Sequence, residues 1–505
     1  MDAGTVPALM KRATVSPIYK GGDKSLAKNY RPVALTSHLI KVFEKCVRDK
    51  ITTHMERQEL HMENQHGFRK GRSCLSKLLA HYNWFLETLA AGNNVDVVFL
   101  DFAKAFDKVD HGILLLHKIK ALGLRGKLGI WLHDFLTERV QSVVVDGQSS
   151  KEDTVMSGVP QGSVLGPLLF LIHMRDIGEE VSESVLSSFA DDTSISRPIS
   201  NVQEVEHLQE DLNKVYSWAT TNNMTFNEEK FEMLRCGPDC NIKTTTTLHT
   251  EGGGHITPTP HVKCLGVYLS ADGSFSHHIT ETVRKARGMA GWVMRTFASR
   301  EPEVMLTLWK ALVQPLLDYC SQLWSPHKKA DIQRLEAVQR SFTKHIRGLH
   351  DLNYWDRLKI LGIYSQQRRR ERYRAIYIWK VLEKQVPDPT SLALQAHLNE
   401  RTGRKCSRKT LPSKAPGRCK TLLAASLAHE GPKIFNSLHK NVRNITGCSV
   451  NTFKYGLDKI LRTVPDEPPV PGYTAKCRTS NTIPDQVALL DRDARTGSSG
   501  RPPRL

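Results

Sequence analysis

The first 270 residues alternate short apolar runs with polar, glycine-bearing breaks, whereas the stretch after residue 271 carries apolar positions at helical spacing. The run Val97-Val98-Phe99-Leu100 is apolar throughout and β-prone, and predicts a buried strand over 95–100. Residues 185–190 and 193–196 are two further β-prone runs with only Asp191-Asp192 between them, a spacing that predicts a tight hairpin. A strand over 141–145 runs into the turn Asp146-Gly147, Gly21-Gly22-Asp23 is a turn, and 262–270 reads as one more strand. Amphipathic helices are predicted over 41–55 and 201–222, and Asp110 caps another over 111–121. Beyond 271 the pattern predicts helices over 279–297, 304–324 and 368–383.

Charge divides the chain at the same place. Residues 1–270 carry 30 Lys and Arg against 32 Asp and Glu, and residues 271–505 carry 41 against 20, so the formal excess of +19 lies wholly in the second half. A strongly basic half fits a nucleic-acid backbone as partner. The tract 401–420 is its densest part, with Arg401, Arg404, Lys405, Arg408, Lys409, Lys414, Arg418 and Lys420. Arg368 to Arg374 holds five arginines on a predicted helix, a pattern that fits phosphate tracking along a duplex. The longest apolar run, 164–174, is broken by Gly166, Pro167 and His173 and is too short for a bilayer. With no basic-then-apolar leader, an intracellular protein is expected, in nucleus or cytoplasm and not secreted. The ten cysteines show no disulfide spacing; Cys236, Cys240, His261 and Cys264 make a poor zinc pattern, and free thiols are the expected state.

Three carboxylates carry the chemistry. Asp101 directly follows the 95–100 strand, and Asp191 and Asp192 sit at the tip of the predicted hairpin. Turn chemistry alone accounts for an Asp pair. Adjacent carboxylates nevertheless repel one another, and a carboxylate at the end of an apolar strand is costly without a positive partner. If the two strands are neighbours in one sheet, the three acids converge on a site suited to two hard divalent cations, Mg2+ foremost and Mn2+ in its place.

The segments around these acids carry a longer pattern. Asn29-Tyr30-Arg31-Pro32-Val33-Ala34-Leu35-Thr36-Ser37 and Gln65-His66-Gly67-Phe68-Arg69-Lys70-Gly71-Arg72-Ser73 come first. Phe99-Leu100-Asp101-Phe102-Ala103-Lys104-Ala105-Phe106-Asp107, Ser157-Gly158-Val159-Pro160-Gln161-Gly162-Ser163 and Phe189-Ala190-Asp191-Asp192 follow, then Asn227-Glu228-Glu229-Lys230 and Cys264-Leu265-Gly266-Val267. In this order the seven segments resemble the motifs of LINE-type (non-LTR) retrotransposon reverse transcriptases, most of all the jockey-like group. The resemblance runs strongly over about residues 5–270 and more loosely over 271–385. Two positions depart from it: Cys264 stands where an aromatic is usual, and Arg175 where Asn usually precedes Asp176.

The resemblance implies an α+β right-hand polymerase: fingers over 1–95, a palm with an antiparallel sheet over 96–270, and a helical thumb over 271–385. A mostly α, basic C-terminal region over 386–465 and a disordered tail over 466–505 are expected to follow. It implies an RNA-directed DNA polymerase that joins a dNTP to a DNA primer on an RNA template. Asp101, Asp191 and Asp192, with the carbonyl of Phe102, would hold the two metal ions. Phe106 would exclude a 2′-hydroxyl; Gln161 and Gly162 would lie beside nucleotide and template. Arg31, Lys41, Arg69 and Arg72 are candidates for the triphosphate or template backbone, Arg69 first. Lys230 would protonate the leaving pyrophosphate. The alternative is a catalytically silent remnant that only binds RNA, and the chain opens almost at the first motif with no nuclease domain before it, as expected of either a truncated element copy or a gene sequence lacking its upstream part. Oligomeric state is not legible in the sequence.

Overall fold

The computed structural model describes residues 4–238, 240–388, 398–399, 407–408, 411, 420–468 and 481–496. Most of the 401–420 tract lies outside them. The fold is α+β, and the chain divides into two compact units. The first comprises Met1–Ser73, Asp96–Met233 and Cys240–Pro258; the second comprises Cys74–Val95, Leu234–Asp239 and Thr259–Leu505.

The first unit is built on two sheets. Strands β1 (Arg12–Tyr19) and β2 (Tyr30–Leu35) pair antiparallel across the Gly21-Gly22-Asp23 turn. β3 (Asn94–Leu100) belongs to the other sheet. β4 (Arg139–Val145) runs parallel to β1 and carries the short strands β5 (Gln148–Ser149) and β6 (Asp153–Val155), giving the order β2-β1-β4-β5 with β6 on β4. The second sheet adds β7 (Val185–Phe189), β8 (Asp192–Ile199) and β9 (Glu232–Cys236) to β3, in the order β7-β8-β3-β9, with the unit boundaries falling within β3 and β9. A small antiparallel pair, β10 (Leu248–His249) and β11 (His255–Ile256), follows. β3 is buried at Val97, Val98 and Leu100, as its uninterrupted apolar run predicts.

Helices cover these sheets. The helix Val202–Thr221 buries Val205, Leu208, Leu212, Val215 and Ala219, the three-and-four spacing of one helical face. Its Asn201 side chain accepts from the Glu204 amide at 3.1 Å, a cap that fixes where the helix starts. Asp110 caps its own segment in the same way, accepting from the Ile113 amide at 2.9 Å. The helix Gly166–His173 is buried on nearly every face, including His173 at 0% exposure. The predicted helix at 41–55 extends over His38–Arg57.

The second unit is mainly helical. Its helices include Cys74–Ala90, Ser276–Thr296, Lys329–Lys344, Gln366–Leu382, Leu427–Ser437 and Val450–Leu461. The ring of Trp379 stacks on Phe453 at 4.7 Å, and Trp309, Trp324 and Phe342 are buried in the same unit.

Four expectations change here. The single strand at 262–270 is a hairpin, β12 (His261–Cys264) and β13 (Val267–Ser270), because Leu265 and Gly266 both adopt positive φ, 46° and 84°, and reverse the chain. The helix at 304–324 is divided into Pro302–Leu308, a widened turn at Trp309–Val313 and Gln314–Asp318. Pro315 has no amide to give the ladder and its ring crowds the preceding turn, so the backbone widens just ahead of it. Within the tail expected to be disordered, Ile483–Thr496 is helical: Ile483 is fully buried and its amide donates to the Glu371 carboxylate at 2.8 Å. The arginines of 368–374 do not form an open basic stripe. Arg368, Arg370 and Arg374 are at most 3% exposed. Arg368 donates to the carbonyls of Val464 and Pro465, Arg369 to Asp318, Arg372 to Asp458 and Arg374 to the carbonyl of Ala425.

Candidate active site

All three aspartates belong to the first unit. β3 ends at Leu100, so Asp101 leaves the sheet where the strand stops. β7 and β8 are joined by a two-residue turn, Ala190-Asp191, with Phe189 facing Asp192 in register. Because β8 lies next to β3, the hairpin tip and Asp101 meet at one edge of the sheet. Ala190 sits at φ 56°, in the left-handed region that non-glycine residues rarely adopt.

The electrostatics show that the acids act on one another. The carboxyl of Asp191 is raised above the ordinary carboxylate range, chiefly by burial; its own amide opposes that, the charges of Asp192 and Asp101 add to it, and Arg31 opposes it. Lys230 Nζ donates to Asp101 Oδ2 at 2.8 Å. The main chain of Asp101 and its neighbours is pinned by the segment 225–227: Asn227 N donates to Asp101 O and Ala103 N to Thr225 O, both at 2.8 Å, while the Phe102 ring stacks on Phe226 at 4.4 Å. The result is a group of three carboxylates set against the charges of Lys230 and Arg31, hard oxygen donors of the chemistry that suits divalent cations.

A second loop adjoins this edge. The Phe106 ring stacks on Phe170 at 4.3 Å with planes 11° apart, and Phe68 meets it edge-on at 6.1 Å. Phe106 O accepts from Val159 N at 2.9 Å, which ties the loop to the Pro160-Gln161-Gly162 turn. Gln161 Nε2 donates to Asp107 Oδ1 at 2.7 Å, and its carbonyl accepts from Ala34 N at 2.7 Å. Gly162 has φ 120° and approaches so closely that a Cβ would lie 2.4 Å from the Ala34 carbonyl oxygen, so no other residue fits. Behind the turn, buried Glu44 accepts from the amides of Val164 and Leu165 at 2.7 and 2.9 Å, which satisfies donors at the start of the helix Gly166–His173.

Residues 18–269 match the family model described as reverse transcriptase (RNA-dependent DNA polymerase). Through these residues the chain belongs to the reverse transcriptase family. It is 30% identical over 356 residues to the probable RNA-directed DNA polymerase from transposon X-element of Drosophila melanogaster, covering 68% of this chain and 38% of that one. It is 28% identical over 360 residues to the RNA-directed DNA polymerase from mobile element jockey of the same species, covering 69% and 39%. The chain thus spans about two fifths of the length of these relatives. Among solved structures, apo telomerase from Candida Tropicalis aligns over 74% of this chain and 62% of that one, at 11% identity and a TM-score of 0.42.

Within the reverse transcriptase domain, Asp101, Asp191, Asp192, Arg31 and Lys230 form one charged cluster. Phe106, Gln161 and Gly162 share the adjoining loop pair. Arg69 is engaged in its own loop, donating to the carbonyls of Met62 and Gln65 at 2.8 and 3.3 Å, and Arg72 donates to those of Glu63 and Gln65. Lys41 lies one turn ahead of Glu44, and its charge acts there. Three residues at the site carried no signal of their own in the sequence: Glu44, Asp107 and Gln65. Gln65 opens the second of the seven segments, but its partner, Ala190, is 125 residues away along the chain.

Among the described residues, the one trio of His, Cys, Asp or Glu whose ligand atoms all lie within 4.8 Å of one another is Glu183, Glu204 and His207. The Arg197 guanidinium donates to both glutamates, so each of these carboxylates already has a cationic partner. Cys236 and Cys264 are buried. Among the described residues no helix is long and apolar enough to cross a membrane.

Proposed function

We propose that the chain is an RNA-directed DNA polymerase of a non-LTR retrotransposon, adding deoxynucleotides to a DNA primer on an RNA template. The observation that supports this best is the gathering of Asp101, Asp191 and Asp192 at one edge of the β7-β8-β3-β9 sheet inside the reverse transcriptase domain. Two Mg2+ ions, or Mn2+ in their place, would be held by these carboxylates and the Phe102 carbonyl, and when bound they supply charge neutralisation at the phosphates and a lowered pKa at the primer 3′-hydroxyl. The chain's own residues supply the rest. Phe106, held flat against Phe170, stands where a 2′-hydroxyl would come and excludes it. Gln161 and Gly162 present a tightly held backbone turn to nucleotide and template. Arg31 adds positive charge beside Asp191 for the triphosphate. Lys230 keeps its ammonium at Asp101 and delivers a proton from Nζ to the leaving pyrophosphate. Arg69 and Lys41 support the loop and helix they are engaged in. A template of RNA places the work inside the cell, in nucleus or cytoplasm.

Primer extension on an RNA template with Mg2+ and deoxynucleotides tests this directly. Extension by the natural chain and none by Asp191→Ala/Asp192→Ala is the expected result. A folded natural chain that binds RNA and extends nothing would overturn the reading in favour of an RNA-binding remnant.

A further inference from the structure

The turn that carries Asp191 and leads into Asp192 is conformationally expensive. Ala190 is 5% exposed and left-handed, and both its amide and its carbonyl need partners away from water. One side chain provides both. Gln65 Oε1 accepts from Ala190 N at 2.8 Å, and Gln65 Nε2 donates to Ala190 O at 3.2 Å. The same Oε1 accepts from Gly67 N at 2.7 Å, which fixes the rotamer of the amide.

The main chain on either side of Gln65 is laid along β7. His66 N donates to Ser188 O at 2.8 Å, and Ser188 N donates to Asn64 O at 3.0 Å. Gly67 packs so tightly on the turn that a Cβ there would lie 2.3 Å from Ala190 N. Residues 64–67 therefore form a brace against the hairpin tip. At 4% exposure Gln65 acts through Ala190.

We propose that Gln65 is a positioning residue for the reaction: its amide holds the Ala190-Asp191 turn in the conformation that points Asp191 and Asp192 at their cations. The inference rests on the reading of the three aspartates as metal ligands. A carboxamide is the right group because it offers a donor and an acceptor in one plane. Methionine has the length and neither function; asparagine has both functions and lacks the reach.

The test uses the metal alone, with no turnover. Mn2+ is titrated into the full chain and followed by electron paramagnetic resonance for the natural sequence, Gln65→Met, Gln65→Asn and Asp191→Ala/Asp192→Ala. Melting of each without metal reads the merely structural contribution. In both Gln65 variants Mn2+ binding is expected to weaken about tenfold, the factor that one to two missing hydrogen bonds carry. Either folded variant binding Mn2+ like the natural chain overturns the inference. A natural chain that binds no better than the double aspartate variant overturns the metal reading, and the inference with it. A third measurement needs no variant: the Ala190 amide is expected among the slowly exchanging hydrogens of the natural chain, and rapid exchange there also overturns the brace.

Discussion

In the proposed reading Phe106, a half-buried aromatic packed on the core, is also the selector of the sugar. Its stack on Phe170 and edge contact with Phe68 hold the ring in place, so the proposed exclusion would not depend on a mobile side chain. Truncation would remove the proposed obstacle while leaving the three aspartates untouched. Phe106→Ala is therefore expected to raise ribonucleotide use relative to deoxynucleotide by about tenfold to a hundredfold, the range typical of one steric discrimination. Competing kcat/KM measurements with the two sugars read this out, and unchanged discrimination would reduce Phe106 to a packing role. At this scale the positions of the three acids were legible in the sequence, because each is tied to a local pattern, a strand end or a hairpin tip, whereas Phe106 stood out only through the resemblance. Gln65, Asp107 and Glu44 were not legible, because each acts on a backbone or side-chain group at least 54 positions away.

Among the elements, the helix Gly166–His173 follows the Gln161-Gly162 turn and is buried almost all round. Its last residue, His173, lies 6.3 Å from the Trp218 ring and is pushed down to about 4, by burial first and by the Lys118 charge second, with Asp176 opposing. The folded pKa thus lies below the unfolded value near 6.5, so the unfolded chain takes up this proton first. Stability from a neutral His173 is complete above the unfolded pKa and is lost as pH falls from about 6.5 toward 4, by up to about 1.4 kcal/mol per pH unit. His61 is also lowered to about 4, so the natural chain has more than one acid-sensitive group. The difference between natural chain and His173→Leu isolates this one. Urea midpoints at pH 7 and pH 5 are expected to differ less in the variant, and equal differences would show that His173 is not a source of acid sensitivity. Elements with strong periodicity or caps, such as Val202–Thr221 behind Asn201, were readable from sequence; the 262–270 strand was misread because Leu265 gives no composition signal for a left-handed turn.

For the whole molecule, the charge count alone is misleading. The second half holds 41 basic residues against 20 acidic ones, and its most arginine-dense helix buries three of its five arginines and pairs Arg369 and Arg372 with Asp318 and Asp458. A guanidinium buried against carbonyls and carboxylates holds a fold together and has little left for phosphate. The sequence shows how many charges there are, whereas burial decides which can meet a nucleic acid, and burial depends on partners such as Asp458 and Val464 far along the chain. The exposed face of the helix Ser276–Thr296, with Lys285 and Arg287, is the better candidate for phosphate binding. The two cases separate in a salt titration of RNA binding, because each phosphate neutralised contributes about 0.7 to 0.9 to the slope of log affinity against log salt. Arg372→Ala breaks a partly buried ion pair and is expected to lower stability by about 1–3 kcal/mol while leaving the salt slope unchanged. Lys285→Ala/Arg287→Ala is expected to do the reverse, shallowing the slope by about 0.7 to 0.9 for each phosphate no longer neutralised and leaving the melting temperature nearly unchanged. A lowered slope for Arg372→Ala in the still-folded protein would return the arginine helix to the nucleic-acid surface and require that its ion pair with Asp458 open on binding.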